Sequence, residues 1–449
     1  MFKIDTHTVI LGAGFTGLVI ADLLTRKGYD VILLEKESLP GGLSRTIDFD
    51  GFRFDLGGHC LYLNDKEYSE YIKYILGGSS DILIRHDRKS SIFFDGKLLR
   101  YPPSILGLFS YKKSDILGFL LGFFVNTAKN GPSLEEWLVS RVGKVIHNLY
   151  FRDYTKKVWG LPANLISADW AEQRIGKINK ISLVKNLFKE MRNNKENSRT
   201  FYYTKNGIGK ICDGLVDRLS GKASILFNAK INKIEHHQNK LKYLRFTQGE
   251  EEKHLYFKNI VSTIPLIPLL DYLPPCKKPS VLDLRNTIRY RDLVLVFMTF
   301  NKKSILNEHW VYFPQADVPF ARLSEPKNWS LGMVEQDKTS LCVELFCNFN
   351  DSLWNKQDSE LVDMVIDSLA QNSIVTKNEL SNALVMRLPF AYPLLYLGYS
   401  DNLNKVTEFL SYFNNLYLAG RNGTHSYYDL KECVDSSKNT VNDLINNDH

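Results

Sequence analysis

Apolar residues near the N-terminus form two short runs separated by a glycine-rich turn and a helical repeat. Residues 8–11 read as a buried parallel strand, and the apolar spacing over residues 18–24 is that of a helix. Gly28 ends this helix, and the second run, residues 31–34, leads to Glu35. Strand, glycine turn, helix, strand and terminal acid follow in the order that predicts a dinucleotide-binding βαβ unit.

The glycines of the turn each have a physical use in such a unit. Gly12 permits the tight turn, Gly14 lets the backbone approach a pyrophosphate, and Gly17 lets the helix pack closely on the strand. The N–H groups at the start of the helix then face the phosphates, and Glu35 is expected to bind a ribose hydroxyl. A chance glycine turn in another α/β protein is the alternative, which the ordered context disfavours.

Beyond residue 65 the pattern changes twice. Residues 66–197 are mostly helical in pattern, with an amphipathic stretch at 134–149 and Ser133 as its expected N-cap. Short alternating strands follow at residues 225–227, 230–235, 241–246 and 260–264. Further strands at residues 293–300, 310–313 and 341–348 predict an antiparallel sheet, and the polar residues 193–199 predict a loop.

Length and charge narrow the class of protein. A chain of 449 residues exceeds one compact core, so two or three domains are expected. The net charge of +7 is spread along the chain without the basic stripe of a nucleic-acid-binding protein, and an anionic small substrate accounts for it equally well. The cysteines lack metal-ligand spacing, so we expect no metal site and reduced thiols in the cytoplasm: Cys60, Cys212, Cys276, Cys342, Cys347 and Cys433.

One apolar segment raises the question of a membrane. Residues 116–125 are almost unbroken in their hydrophobicity, but the run is too short to span a bilayer, and Lys112, Lys113 and Asp115 interrupt its upstream neighbour. We expect a buried helix of an inserted domain. Peripheral contact with a membrane is the alternative.

Two glycine pairs extend the N-terminal unit beyond a simple dinucleotide fold. Gly41-Gly42 follows Glu35, Gly57-Gly58 precedes His59, and paired glycines let a ligand lie against bare backbone. With the C-terminal segments at 416–421 and 427–429, these motifs resemble the FAD enzymes that include amine oxidases, protoporphyrinogen oxidases, carotene desaturases and UDP-galactopyranose mutases. The resemblance implies an α/β fold: a Rossmann-like (GR2-type) FAD-binding domain, an inserted helical domain and an antiparallel β-sheet substrate domain.

The same resemblance implies domain boundaries and a cofactor site. The FAD-binding domain is expected to be discontinuous (residues 1–64, 198–275 and 408–449), with a mainly helical insert at 65–197 that carries a mobile substrate loop and the substrate domain at 276–407. The expected FAD-binding residues are Gly12, Gly14, Phe15, Thr16, Gly17, Glu35, Lys36, Gly41, Gly42, Leu43, Ser44, Gly57, Gly58, His59, Ile231, Gly420, Arg421, Asp429 and Leu430.

Three segments are most similar to the mutases among these enzymes. They are residues 150–160, containing Tyr-Thr-Lys-Lys-Val-Trp-Gly, residues 289–293 with 318–325, and the offset from Arg421 to the tyrosines that follow it. The resemblance implies a UDP- or dTDP-linked sugar as substrate, bound by Tyr154, Trp159, Arg174, Arg322, Tyr427 and Tyr428. It also implies pyranose/furanose isomerisation through N5 of reduced FAD, in polysaccharide or glycoconjugate biosynthesis, with NAD(P)H as a possible external reductant. The residues for which it implies catalytic roles are His59, Arg174, Arg322, Tyr427 and Asp429.

Other features favour the oxidases. The segment Gly-Gly-Leu-Ser-Arg is closer to the oxidase branch, and Tyr62 replaces a second histidine of the mutases. An oxidase or dehydrogenase of the amine oxidase or protoporphyrinogen oxidase type is therefore the alternative function, and a flavin-binding scaffold without turnover is a third. Individual residues also have structural alternatives: core packing for Tyr154 and Trp159, a surface charge for Arg174, a salt bridge for Arg322 and a turn cap for His59.

Overall fold

The computed structural model describes residues 3–78, 80–101, 131–174, 200–273 and 281–448. Its strands are β1 Lys3–Leu11, β2 Val31–Leu34, β3 Thr46–Phe49, β4 Phe52–Asp55, β5 Leu83–Asp87, β6 Ser90–Phe94, β7 Lys97–Arg100, β8 Thr200–Thr204, β9 Ser224–Leu226, β10 Ala229–His237, β11 Lys240–Gln248, β12 Glu251–Ser262, β13 Tyr290–Phe300, β14 Trp310–Tyr312, β15 Arg322–Ser324, β16 Thr339–Cys347, β17 Leu380–Pro393 and β18 Leu416–Leu418.

The α-helices of the described ranges alternate with these strands. They are α1 Phe15–Thr25, α2 Lys66–Ile75, α3 Leu134–Ile146, α4 Arg152–Trp159, α5 Asp169–Arg174, α6 Lys210–Leu219, α7 Leu266–Tyr272, α8 Val281–Thr287, α9 Asp358–Gln371, α10 Tyr399–Ser411, α11 Gly420–Gly423 and α12 Leu430–Asp448.

The first large sheet has the order β10-β11-β12-β1-β2-β9, and β18 pairs with the last residues of β12. Strands β12, β1, β2, β9 and β18 are parallel, as expected of a Rossmann-like core. Alternate residues of β1 face opposite sides: Ile10 packs in the core that includes α1 and α12, while Val9 and Leu11 pack in the core that includes α7 and α10. The N- and C-terminal segments of the chain therefore meet in one sheet.

The second large sheet has the order β17-β13-β16-β15-β14-β6-β7. All eleven residues of β13 are buried, because α9 covers one face of the sheet and the hairpin of β3 and β4 packs on the other. The neighbouring strands of this sheet are antiparallel, except for β14 and β6, which run parallel. The expected antiparallel sheet is thus present with one parallel pair.

Most predicted strands of both sheets are confirmed within a few residues of their ends, but the strand predicted at 260–264 is only the last part of β12, which begins at Glu251. Ser133 is the N-cap of α3, accepting the Glu136 N–H at 3.3 Å in a capping box. The amphipathic stretch at 134–149 is not one regular helix, however: Gly143 has φ 82° and ψ 159°, and a π-helical turn, His147–Phe151, leads into α4. A glycine in the left-handed region allows this break.

The mainly helical pattern expected for residues 65–197 is wrong for part of that range, which contains β5, β6 and β7. Asp95-Gly96, with φ 50° and 73°, forms the tight turn between β6 and β7. An Asp-Gly pair between apolar runs is a hairpin signal that the sequence already contained. The domain boundaries themselves stay a prediction, and the expected helix at 116–125 and loop at 193–199 lie outside the described residues. Among the helices that are described, none has the length and hydropathy needed to cross a bilayer.

Candidate active site

The glycine turn between β1 and α1 leaves a helix N-terminus open. Gly12 donates its N–H to Leu34 O at 2.8 Å, and a Cβ on Gly17 would lie 2.0 Å from Gly12 O, so only glycine allows this approach of helix to strand. Gly14 is the N-cap of α1, and no side chain of the described residues caps it. The first N–H groups of α1, those of Phe15 and Thr16 among them, are therefore available to an anion.

Glu35 lies at the carboxyl end of β2 with its carboxylate fixed in position. Its Oε2 accepts the Ala13 N–H at 2.8 Å and its Oε1 accepts the Glu37 N–H at 3.0 Å, so each oxygen keeps a lone pair for a further donor. Its carbonyl accepts the Ala229 N–H at the start of β10, the strand that carries buried Ile231. Lys36, next to Glu35, is exposed.

The segment Gly41 to Ser44 lies directly beside this turn. Gly41 forms a bridge with Gly14 and donates its N–H to Ala13 O at 2.8 Å, and Ser44 donates its N–H to Gly41 O. A Cβ on Gly14 would meet only Gly42 Cα, at 3.9 Å. The space in front of Gly14 is therefore not filled by the described part of the protein. Leu43 faces away from the turn, towards the core beneath β4.

Arg45 lies beside Gly41 at the same turn, although it was not among the residues expected from the sequence. Its Nε is buried and has no hydrogen-bond partner in the parts of the chain that the structure describes. A buried guanidinium N–H without a partner is costly, so an anionic or polar ligand is the expected partner. Its place as the fifth residue of the Gly-Gly-Leu-Ser-Arg segment was the sequence feature that could have identified it.

The C-terminal segment approaches the same turn from the other side. A Cβ on Gly420 (φ 73°) would overlap the Thr16 side chain, so this close approach requires glycine. Gly420 donates its N–H to Ser436 Oγ at 3.0 Å, and Leu430, the first residue of α12, is buried in the core that contains α1. The two glycine-containing ends of the chain are thus in contact.

The second glycine pair lies beside residues of the second sheet and of the segment after β15. A Cβ on Gly57 would lie 3.8 Å from Arg322 Nη2, and Gly58 packs on the Trp329 ring. His59 Nδ1 lies 3.2 Å from Gly57 O and must be the donor to a carbonyl, which leaves Nε2 as an acceptor. Desolvation, followed by the charge of Arg421, lowers the pKa of His59 to about 4, so its ring is neutral at neutral pH.

Asp55, two residues before Gly57, fixes the base of this loop. It accepts hydrogen bonds from Thr46 Oγ1 at 2.6 Å, from the Tyr203 hydroxyl and from the Ile208 N–H. Burial raises the pKa of its carboxyl from 3.8 to about 6, although these three donors oppose the rise.

This raised pKa predicts a pH dependence of stability. Between about pH 4 and pH 6 the folded protein holds a proton on Asp55 that the unfolded chain has released, so stability falls as the pH rises. The free energy of unfolding should drop by about 3 kcal/mol from this group over that interval. Urea unfolding of wild type and Asp55→Asn at several pH values tests it, since the variant should lack this part of the slope. Equal slopes in the two proteins would refute the assignment.

Arg322 of β15 and Glu344 of β16 form a buried ion pair beside Gly57. Arg322 Nε and Nη2 each donate to a Glu344 carboxylate oxygen at 2.6 Å, and the Glu344 side chain is fully buried while 18% of Arg322 is exposed. Desolvation opposes the charge, yet Glu344 holds the pKa of the Arg322 guanidinium well above its ordinary value. The salt bridge that was the structural alternative for Arg322 is therefore present. The Nη1 group of Arg322 takes no part in it.

A cluster of aromatic rings, the aromatic wall, lines this side of the site. Tyr427 stacks on Tyr392 with ring centroids 5.8 Å apart, and Trp159 meets both rings edge-on at about 6 Å. Tyr154 lies edge-on to Tyr312, and its pKa is raised by burial and by Tyr312, with an opposing effect of Arg322. The wall therefore consists of Tyr154, Trp159, Trp170, Tyr312, Phe346, Tyr392 and Tyr427.

Arg421 contacts both the wall and the C-terminal segment. Its guanidinium carbon lies 5.0 Å from the Tyr427 ring centroid and 5.4 Å from that of Tyr392, its Nε donates to Tyr428 O, and its Nη2 is 4.0 Å from Asp429 Oδ1. The side chain of Tyr428 packs on the core of the first sheet, away from the wall. Arg174 ends α5, and its side chain lies outside the described part of the structure.

Comparison with known proteins identifies the family. The family of flavin-containing amine oxidoreductases matches residues 15–445. The chain belongs to this family. It is a flavoenzyme of the FAD-dependent amine oxidase superfamily, and the expected fold class is confirmed.

Individual relatives of this flavin-containing amine oxidoreductase carry different names. A reduced UDP-galactopyranose mutase shares the fold with a TM-score of 0.83 and 22% identity over 98% of this chain and 96% of its own. A putative protoporphyrinogen oxidase from Exiguobacterium sp. 255-15 has a TM-score of 0.75 and 19% identity over 98% of each chain. In sequence, the chloroplastic protoporphyrinogen oxidase of Nicotiana tabacum is 21% identical over 89% of this chain and 78% of its own length. Prolycopene isomerase of Daucus carota is 43% identical, but over only 13% of this chain and 9% of its own.

The residues around the glycine turn fit FAD, the cofactor of the family. The N-terminus of α1 and the bare backbone at Gly14 suit a pyrophosphate, and Glu35 suits a ribose. The Nε of Arg45, which has no partner among the residues that the structure describes, suits an acceptor atom of the cofactor. Arg421 and Asp429, expected at the cofactor, also border the aromatic wall. The structure brings Gly12, Gly14, Thr16, Glu35, Gly41, Gly42 and Gly420 together at the glycine turn, while Gly57 lies beside Arg322, and Leu43 and Leu430 pack in cores. Which of the expected residues contact FAD stays a prediction.

Proposed function

We propose that this flavoenzyme acts on a nucleotide-diphosphate sugar, by pyranose/furanose isomerisation in polysaccharide or glycoconjugate biosynthesis. The observation that carries the proposal is the position of two arginines: Arg322 lies beside Gly57, and Arg421, whose charge acts on His59, lies over the Tyr392 and Tyr427 rings of the aromatic wall. Guanidinium groups suit a diphosphate, and aromatic faces suit a base and a sugar. Bound and reduced, FAD supplies a nucleophilic ring nitrogen, so the protein needs no activated serine or cysteine.

The charges in the site suggest how the protein residues divide the work. Glu344 neutralises most of the charge of Arg322. Arg322 is therefore proposed to act on the substrate as a hydrogen-bond donor through its fixed Nη1, and less as a free positive charge. Arg421 carries its charge against the Tyr392 and Tyr427 rings, where it can offset charge that develops on a leaving diphosphate. Arg174, the last residue of α5, is proposed as a second cation for the diphosphate, and NAD(P)H as the external reductant.

An activity assay separates this proposal from its alternative. The purified protein is incubated anaerobically with UDP- and dTDP-hexoses, oxidised or reduced by dithionite, and the products are separated by chromatography. Isomerised sugar nucleotide formed only in the reduced state supports the proposal. The protoporphyrinogen oxidase among the relatives motivates the alternative of a flavin oxidase. Such an enzyme would need no added reductant, because its substrate would reduce the flavin, and in air the reduced flavin would pass the two electrons to O2 and form hydrogen peroxide.

Adjacent tyrosines provide a matched test of the substrate site. Tyr427 belongs to the aromatic wall and Tyr428 does not, although they are neighbours in sequence. Tyr427→Ala should weaken binding of UDP by about 1–2 kcal/mol through the loss of ring contacts, whereas Tyr428→Ala should change it little. A titration followed in the flavin spectrum measures both. A larger loss in Tyr428→Ala would place the substrate on the other side of the segment.

A further inference from the structure

Lys157 is a half-buried lysine whose ammonium group lies within a ring of backbone carbonyls. Its Nζ donates to Phe313 O at 2.7 Å, to Gln315 O at 2.5 Å and to Phe320 O at 3.2 Å. An ammonium group has three protons, so these three carbonyls use its full donor capacity. The carbonyls all belong to the loop of residues 313–321 between β14 and β15.

This loop connects two parts of the proposed substrate site. It begins directly after Tyr312, whose ring meets Tyr154, and ends directly before Arg322. Its ends are joined to each other by the Phe313 N–H to Ala321 O bond at 2.9 Å, and Ala321 donates to Glu344 O at 3.0 Å. The interior of the loop, by contrast, is bound by Lys157 at Gln315 and Phe320.

Helix α4, which carries Lys157, also carries Tyr154 and Trp159 of the aromatic wall. The far end of α4 is held separately, because Arg291 of β13 donates to Val158 O at 2.8 Å and to Lys157 O at 3.1 Å. We propose that Lys157 is a positioning residue for nucleotide binding: it holds the 313–321 loop against α4, so that Arg322 and the aromatic wall form one rigid site. This inference rests on the proposed function for its ligand and on the carbonyl contacts for its geometry.

The chain offers a matched control in Lys156, which is exposed on the same helix. Lys157→Met and Lys156→Met are compared with wild type as FAD-loaded proteins. Amide hydrogen exchange of peptides covering residues 313–322 should be about tenfold faster in Lys157→Met and unchanged in Lys156→Met. The dissociation constant for UDP, titrated through the flavin spectrum, should rise about tenfold in Lys157→Met alone, with the spectrum of bound FAD unaltered.

Two results would overturn the inference: unchanged exchange in Lys157→Met, or faster exchange with UDP affinity as in wild type. If wild type does not respond to UDP, the proposed function fails, and the exchange measurement still decides whether Lys157 holds the loop. If Lys157→Met does not retain FAD, Lys157→Arg, which keeps charge and donors, replaces it in the same comparison, with partial rather than full loss expected.

Discussion

Arg322→Ala is expected to lower the free energy of unfolding by about 3–5 kcal/mol and to weaken UDP binding by about 2–4 kcal/mol. The stability loss follows from Glu344, which is fully buried and receives two 2.6 Å hydrogen bonds from Arg322. Without the guanidinium, Glu344 either remains a buried unpaired charge or takes up a proton. Urea unfolding and UDP titration of the FAD-loaded variant measure the two effects.

A double variant separates stability from binding. In Arg322→Ala/Glu344→Gln the buried charge is removed together with its partner, so much of the stability should return while UDP affinity stays low. Arg285→Ala is the control for loss of an ordinary ion pair, since Arg285 and Asp271 are each more than a third exposed. We expect that change to cost at most about 1 kcal/mol. Similar losses in Arg285→Ala and Arg322→Ala, or full UDP affinity in the double variant, would contradict this account.

Gly14→Val is expected to abolish retention of FAD while leaving the protein folded. The backbone at Gly14 has φ −70°, which any residue adopts, and a Cβ there would meet only Gly42 Cα at 3.9 Å. The valine side chain would instead occupy the space proposed for the pyrophosphate, and FAD affinity should fall by about 100-fold or more, the factor that corresponds to an overpacking cost of about 3 kcal/mol. Flavin content after purification and FAD titration of the apoprotein measure the loss.

Gly17→Ala is the informative contrast. Its Cβ would lie 2.0 Å from Gly12 O, so α1 must move away from β1 and the fold itself should be destabilised. Gly14→Ala should lie between wild type and Gly14→Val, with normal stability and moderately weakened FAD binding. Gly14→Val protein with the flavin content of wild type would show that the pyrophosphate does not lie against this turn.

The sequence predicted best those features that depend on local pattern. The βαβ unit follows from apolar runs and fixed glycine offsets, and Glu35 ends the second strand as expected. The positions of Gly41 and Gly57 beside Gly14 and Arg322 also agree with the expected site. These features needed only short-range order and a recognisable motif.

The resemblance implied that the two ends of the chain meet, but other side-chain contacts between distant segments were not predicted. Glu344 and Tyr392 stand in long apolar strands without any motif, and only the sheet brings them to Arg322 and Tyr427. Tyr427 and Tyr428 look equivalent in sequence, and only the structure shows that Tyr427 stacks on Tyr392 while Tyr428 packs on the core of the first sheet. Strand β5 pairs with β8 and β6 pairs with β14, both far away along the chain, so no local pattern predicted these pairings. The hairpin of β6 and β7, by contrast, had a local Asp-Gly signal that was overlooked.

Binding of a nucleoside diphosphate beside the flavin is measured by a titration of FAD-loaded wild type. The flavin absorption spectrum is recorded, oxidised and then dithionite-reduced, during addition of UDP, dTDP, uridine and inorganic pyrophosphate. If the nucleotide binds there, we expect a saturable change in the flavin spectrum with a nucleoside diphosphate that neither uridine nor pyrophosphate reproduces at the same concentration. Bound FAD whose spectrum ignores every nucleotide in both redox states would contradict it and favour an oxidase.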